Sequence, residues 1–218
     1  MIITSKKTNE EILVALGGAR TVFIAGCGSC AYKCSNSDDK AIGALKEFLE
    51  QNGKTVLGSL SLDSVCDMRL VKKDLLKNET FNNADAVLIL SCGAGVQSVE
   101  TVSQKNVIPG LESSYVGVTE KIGIYKKFCS VCGTCVLALT GGICPKTRCA
   151  KSLVNGPCGG FINGKCETDQ NKDCAWVLIY EKLKKTNKLQ QFINAYQEVS
   201  GGGSPRNNED ESAAGARR

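Results

Sequence analysis

The chain has 218 residues, 42% of them hydrophobic and 6% aromatic, with a formal net charge of +5, thirteen cysteines and no histidine. That length buries one sizeable core or two small ones without disulfides, so the cysteines need another reason to be there. The absence of histidine removes the commonest metal ligand and the usual general base, and so few aromatics, with no basic residues interleaved, argue against a nucleic-acid surface.

The first residues, MIITSKKTNEEILVAL, carry no apolar stretch behind a basic start and no small-residue cleavage site. No later apolar run approaches the ~18 residues of a membrane span, so membrane insertion is not expected and a reducing cytoplasm is the expected compartment. Clustered thiols there point to metal binding or catalysis before disulfides. Thr8 and Glu11 form a capping-box start for a helix through Leu16, stopped by Gly17 and Gly18. Residues 21–25, TVFIA, read as a strand buried on both faces. The same grammar repeats as a helix over 38–51, a strand over 55–60, a helix over 66–77 and a strand over 86–90. The pattern is βαβαβ, which predicts a small parallel sheet.

Ligands of such sheets bind outside the carboxyl ends of the strands, and here each strand runs into cysteine. The first leads to Cys27, Cys30 and Cys34, the second to Cys66, the third to Cys92. Cys66 reads equally well as a small buried hydrophobe. Gly26 and Gly28 hint at a dinucleotide fingerprint, but Ala31 stands at the third glycine and cysteines crowd the turn where a pyrophosphate would lie. Residues 106–123 read as a connection with room for one more short strand.

A second region opens near Lys121, with Cys129, Cys132 and Cys135 in C-x2-C-x2-C, then Cys144, Cys149, Cys158, Cys166 and Cys174 among Gly, Pro and Asn. Between Lys121 and Cys174 eight Lys or Arg stand against three Asp or Glu, an excess equal to the net +5 of the whole chain. The positive charge therefore sits with the thiols. A stretch with so little apolar periodicity is organised by ligands more readily than by a core. Thiolate-only sites select iron–sulfur clusters or zinc. The C-x2-C-x2-C run matches three ligands of a ferredoxin-type cluster but lacks its usual continuation, which leaves the fourth ligand to a later cysteine. Zinc sites normally pair two C-x2-C units across a spacer, so iron–sulfur is favoured and zinc is the rival. Trp176, Val177, Tyr180 and Leu183, continued by Leu189, Phe192, Ile193 and Tyr196, mark C-terminal helices with a core or partner-facing stripe. The tail over 199–218 is flexible by composition.

Residues 141–185, GGICPKTRCAKSLVNGPCGGFINGKCETDQNKDCAWVLIYEKLKK, closely resemble the methylenetetrahydrofolate reductase C-terminal-type family, and FIAGCGSCAYKC and LSCGAGVQ are similar to it as well. Members of that family are small cysteine-rich subunits that accompany a flavoprotein reductase in acetogenic and related anaerobic bacteria. The resemblance implies a partner of a flavin-containing TIM-barrel subunit that reduces methylenetetrahydrofolate in one-carbon metabolism, with further electron-donor subunits. A TIM barrel needs about 250 residues, so the folate and flavin sites belong on another chain and this one has no complete active site. The resemblance also implies metal ligation by Cys27, Cys30, Cys34, Cys92, Cys129, Cys132, Cys135, Cys144, Cys149, Cys158, Cys166 and Cys174, without saying which of them share a metal.

The expectation is thus an α/β protein. A Rossmann-like three-layer domain with a small parallel sheet occupies 1–120, a loop-rich cysteine module with C-terminal helices occupies 121–198, and a flexible tail occupies 199–218. The expected cofactors are two or more [4Fe-4S] clusters, with zinc as the rival in the second region. The expected function is electron transfer within the reductase, and its alternative is a zinc-bound scaffold without redox activity. Lys126, Lys127, Lys146, Arg148 and Lys151 are expected to tune the clusters.

Overall fold

A computed structural model of the protein describes the backbone of residues 1–200 and the side chains of residues 1–195. Residues 201–218, most of the tail expected to be flexible, lie outside the described residues. The chain divides into two compact units, the first spanning Met1–Lys127 and the second beginning at Phe128. Among the described residues no helix is long and apolar enough to cross a membrane.

The first unit is α/β. Strand β1 (Ile2–Lys6) leads to helix α1 (Asn9–Leu16), and β2 (Thr21–Cys27) to a single turn α2 (Cys30–Lys33) and to α3 (Asp39–Gln51). Strand β3 (Thr55–Leu62) follows, then α4 (Met68–Leu70) running into a π-helical turn (Val71–Leu75), α5 (Glu79–Asn83), β4 (Ala86–Leu90), α6 (Gly93–Ser103), β5 (Asn106–Pro109), β6 (Leu111–Lys121) and β7 (Ile124–Cys129). The expected capping box is present: the Glu11 amide donates to Thr8 Oγ1 at 3.1 Å and the Thr8 amide to Glu11 Oε2 at 2.7 Å. Asp38 caps α3 by a single side-chain bond, accepting from the Ala41 amide at 2.8 Å.

Strands β2, β3, β4 and β5 form a parallel sheet in the order β3-β2-β4-β5. The two inner strands, β2 and β4, are buried along almost their whole length, whereas β3 at the edge is half exposed. This is why TVFIA and AVLIL read as unbroken apolar runs. Phe23 and Phe81 meet edge to face at 5.6 Å between ring centres, which anchors α5 on the sheet.

Two stretches depart from the sequence reading. The helix expected over 66–77 starts only after Asp67, whose carboxylate accepts from the Arg69 amide at 2.9 Å and caps it. Cys66 is therefore left in the preceding turn, and the wide π turn brings both Val71 and Leu75 to full burial. The connection expected over 106–123, with room for one short strand, holds two: β5 of the parallel sheet, and β6, the middle strand of a second sheet in the order β1-β6-β7. Its β1–β6 ladder is antiparallel and joins residues more than a hundred positions apart, such as Ile2 and Val116. No local pattern announces such a pairing.

The second unit contains α7 (Pro145–Arg148), the short strands β8 (Lys165–Cys166) and β9 (Asp169–Asp173) paired antiparallel, and helices α8 (Ala175–Lys185) and α9 (Leu189–Ser200). Trp176, Ile179 and Leu183 of α8 are buried with Cys174, and Phe192 of α9 packs against them. Of the expected stripe, Trp176 and Leu183 are core, Val177, Leu189 and Phe192 are half-buried against it, Tyr180 and Ile193 are exposed, and the Tyr196 side chain lies outside the described residues. Val177, Tyr180 and Leu189 line an apolar groove of about 610 Å³ with Phe161.

Candidate metal centres

In the first unit the cysteines gather at the carboxyl end of the parallel sheet. Cys27 is the last residue of β2 and is buried at 6% exposure. Cys30 begins α2, Cys34 closes it, and both are half-buried. Cys92 follows β4 after one residue and is the N-cap of α6, its carbonyl accepting from the Gly95 and Val96 amides at 2.9 and 3.1 Å. The Gly93 amide at the start of this eleven-residue helix donates to Ser113 Oγ at 2.8 Å, so β6 also fixes the Cys92 turn. Cys66, in the turn after the edge strand β3, is exposed, and its sulfur lies 3.2 Å from Ser64 Oγ.

The sheet order fixes what these loops face. From β2 the chain goes to β3 on one side, and from β4 it goes to β5 on the other. The Cys27–Cys34 loop and the Cys92 turn therefore leave adjoining strands at the point where the winding reverses. In open parallel sheets that point forms the ligand crevice.

Local hydrogen bonds hold the loop in place. Ser37 Oγ donates to the Cys27 carbonyl at 2.6 Å, and the buried Asn36 amide donates to the Thr4 carbonyl and hydroxyl at 2.8 and 3.0 Å. Tyr125 of β7 donates to the Lys33 carbonyl at 3.0 Å. Burial, then the neighbouring Cys34 sulfur, pushes the Tyr125 phenol up from its ordinary value. Sequence reasoning missed Tyr125 because it reaches Cys34 from a strand 91 positions further along.

The glycines have a packing explanation. A Cβ on Gly26 would stand 2.9 Å from Ser61 Oγ, and one on Gly28 would stand 3.2 Å from the Leu62 carbonyl, which accepts from the Gly28 amide at 2.7 Å. Both let β3 approach closely and need no phosphate to account for them.

In the second unit Cys129 ends β7, and Cys132 and Cys135 follow it on an exposed loop in which Val131 and Gly133 adopt positive φ. The Val131 amide donates to Cys129 Sγ at 3.4 Å. Hydrogen bonding at the Thr134 backbone, then at the Lys146 ammonium, holds the Cys132 thiol below its usual value. Lys146 belongs to α7, the helix that Cys144 caps. The same helix is tied to the start of the loop, since Thr147 Oγ1 donates to the Phe128 carbonyl at 3.0 Å and the Arg148 guanidinium lies 4.7 Å from the Phe128 ring centre.

Cys149, Cys158, Cys166 and Cys174 instead line a single small recess. Hydrogen bonds from Thr168, side chain first and then backbone, lower the Cys166 thiol from its usual value. Of the basic residues expected beside the thiols, Lys146 touches Cys132. Arg148 and Lys151 line the recess, and Lys151 is ion-paired with Glu167. Lys126 pairs with Glu120 at 2.6 Å. Among the described residues no three cysteine or acidic side chains close on a point small enough for one metal ion.

Residues 108–200 match the family described as Methylene-tetrahydrofolate reductase C terminal. That match bears out the resemblance drawn from the string at 141–185. The eight cysteines of the second unit fall inside the matched segment of this reductase-linked family, and those at the sheet edge fall outside it. No curated protein matches the chain. One solved structure, unliganded arylmalonate decarboxylase, is 22% identical over 46% of this chain and 46% of its own length, with a TM-score of 0.34. A likeness that slight carries no argument.

Proposed function

We propose that the protein is the iron–sulfur electron-transfer subunit of a cytoplasmic methylenetetrahydrofolate reductase, relaying electrons to the flavin of a separate catalytic subunit. The observation that carries this reading is the convergence of the Cys27–Cys34 loop and Cys92 on adjoining strands at the winding reversal of the parallel sheet. The donor set fits the group: four thiols, no histidine in the chain, and one thiol at a helix N-terminus. Cys27, Cys30, Cys34 and Cys92 would hold a [4Fe-4S] cluster there, which when bound supplies a one-electron carrier. The protein's own contribution is placement. Burial of Cys27 restricts water at one corner of the site, and the Tyr125 phenol, by donating to the Lys33 carbonyl, holds the loop that carries Cys30 and Cys34. The remaining cysteines, Cys129 to Cys174, extend the ligand set into the segment that carries the reductase-family match.

The test is anaerobic purification of the full chain, analysis of iron, sulfide and zinc, and visible spectra before and after dithionite. It is followed by mixing the reduced protein with a flavin-loaded catalytic subunit. About eight or more irons, bleaching near ~400 nm, and flavin reduction would support the relay. A colourless zinc protein that still binds the catalytic subunit would replace it with a scaffold.

A further inference from the structure

The eight cysteines of the second unit divide in space in a way their spacing does not announce. Cys149, Cys158, Cys166 and Cys174 are at least eight positions apart from one another, yet all four line one recess. Their convergence is a product of folding. Each sits on a different, separately anchored piece of backbone. Cys149 closes α7, with its amide donating to the Pro145 carbonyl at 3.0 Å. Cys166 stands on β8 opposite Asp169 of β9. Cys174 caps α8, and its amide donates to the Gly164 carbonyl at 2.8 Å, fastening the β8–β9 hairpin to that helix. The segment before Cys158 is held from the same helix by the Trp176 indole, which donates to the Leu153 carbonyl at 3.0 Å.

Arg148, Lys151 and Lys172 line the recess together with Glu167 and Asp173, an excess of one positive charge before any thiol ionises. The remaining four cysteines do not line this recess. Cys129 ends β7, Cys132 and Cys135 follow it on the exposed loop, and Cys144 begins the helix whose Lys146 contacts Cys132.

We infer that Cys149, Cys158, Cys166 and Cys174 together hold one soft-metal centre, a zinc ion or an iron–sulfur cluster, distinct from the centre built on Cys129, Cys132, Cys135 and Cys144. The assignment rests on the reading of these thiols as metal ligands, and soft thiolate sets select those two metals. The four side chains ring the recess without closing on an ion-sized point, so metal uptake draws them inward and couples binding to the ordering of the hairpin.

The experiment is a set of single substitutions in the full chain, purified without oxygen: Cys149→Ser, Cys158→Ser, Cys166→Ser, Cys174→Ser and Cys132→Ser. Iron, sulfide and zinc per chain and the low-temperature electron paramagnetic resonance of the reduced protein are the readouts. The first four are each expected to lose one and the same increment. That increment is about four irons with one shared resonance if the centre is a cluster, or one zinc with the colour unchanged if it is an ion. Cys132→Ser is expected to keep that increment and lose another. Cys158 is exposed and packs in no core, so Cys158→Ser decides the matter should Cys174→Ser unfold the helix it caps. Retention of the full metal content by Cys158→Ser, or loss of the same increment by Cys132→Ser, would overturn the partition. Flavin reduction is not read, so failure of the relay leaves these outcomes distinguishable.

Discussion

The first unit hides twenty-five side chains in one apolar cluster around its parallel sheet, whereas the second buries only four in its cluster among the described residues. Burial of that extent sustains a domain of ordinary stability, but four buried residues do not offset the ordering entropy of some seventy positions at about 1–2 kcal/mol each. The second unit carries eight cysteines, four of them exposed. One unit is therefore organised by packing and carries its thiols at an edge, while on the proposed reading metal bound by its thiols organises the other.

On the proposed reading, removal of metal should separate the two units most strongly. Anaerobic chelation of the full chain, followed by hydrogen exchange read by mass spectrometry, is expected to abolish protection over 128–188 and leave β2 and β4 protected. Equal loss in both units would refute the distinction, as would no loss in the second. The complementary perturbation is Leu88→Ala, at a fully buried position in the middle of β4. It should destabilise the first unit by about 2–5 kcal/mol in urea unfolding, a range set by lost burial plus the cavity left behind. The metal content of the second unit, measured in buffer without urea, should not change.

The legibility of the two units in the sequence follows the same division. The capping box at Thr8, the doubly buried strands and the cysteines at their ends are local signals, and each appears where its pattern placed it. Three features did not show. Strand β1 and its partner β6 are joined across the length of the unit, so neither segment carries the information alone. Cys66 reads as the start of a helix until Asp67 is seen to cap it. The recess lined by Cys149, Cys158, Cys166 and Cys174 depends on Trp176 holding Leu153 and on the hairpin fastened to α8, contacts with no period and no motif. Composition showed that thiols are concentrated in the region, but not which thiols meet.

A smaller effect probes that last point. Trp176→Phe keeps most of the ring against Phe192, 6.0 Å away between centres, but removes the indole donor to Leu153. The expected loss is about 0.5–1.5 kcal/mol, from one hydrogen bond to a partly buried carbonyl. It should appear in the second unit alone, as faster exchange over 150–160 and weaker retention of metal against a chelator.

The mildest test concerns acid and the opposite end of the sheet from the thiols. Asp85, just before β4, accepts from the Arg20 and Thr21 amides at 2.9 and 2.8 Å and joins the entries of β2 and β4. The Thr21 backbone, first among these donors, holds its carboxyl below the usual value. A group depressed on folding contributes stability that is present above its unfolded value, near ~3.9, and is lost as pH falls through the lower folded value. Urea midpoints for the first unit should therefore drop between about pH 5 and 3, and Asp85→Asn should start lower at pH 7 and fall less steeply over that window. Asp67, held at about 2 by the Arg69 side chain and backbone, acts in the same direction, so the difference between wild type and Asp85→Asn isolates the strand-entry contribution. An unchanged slope would place the acid sensitivity of the first unit elsewhere than at the joint between its two central strands.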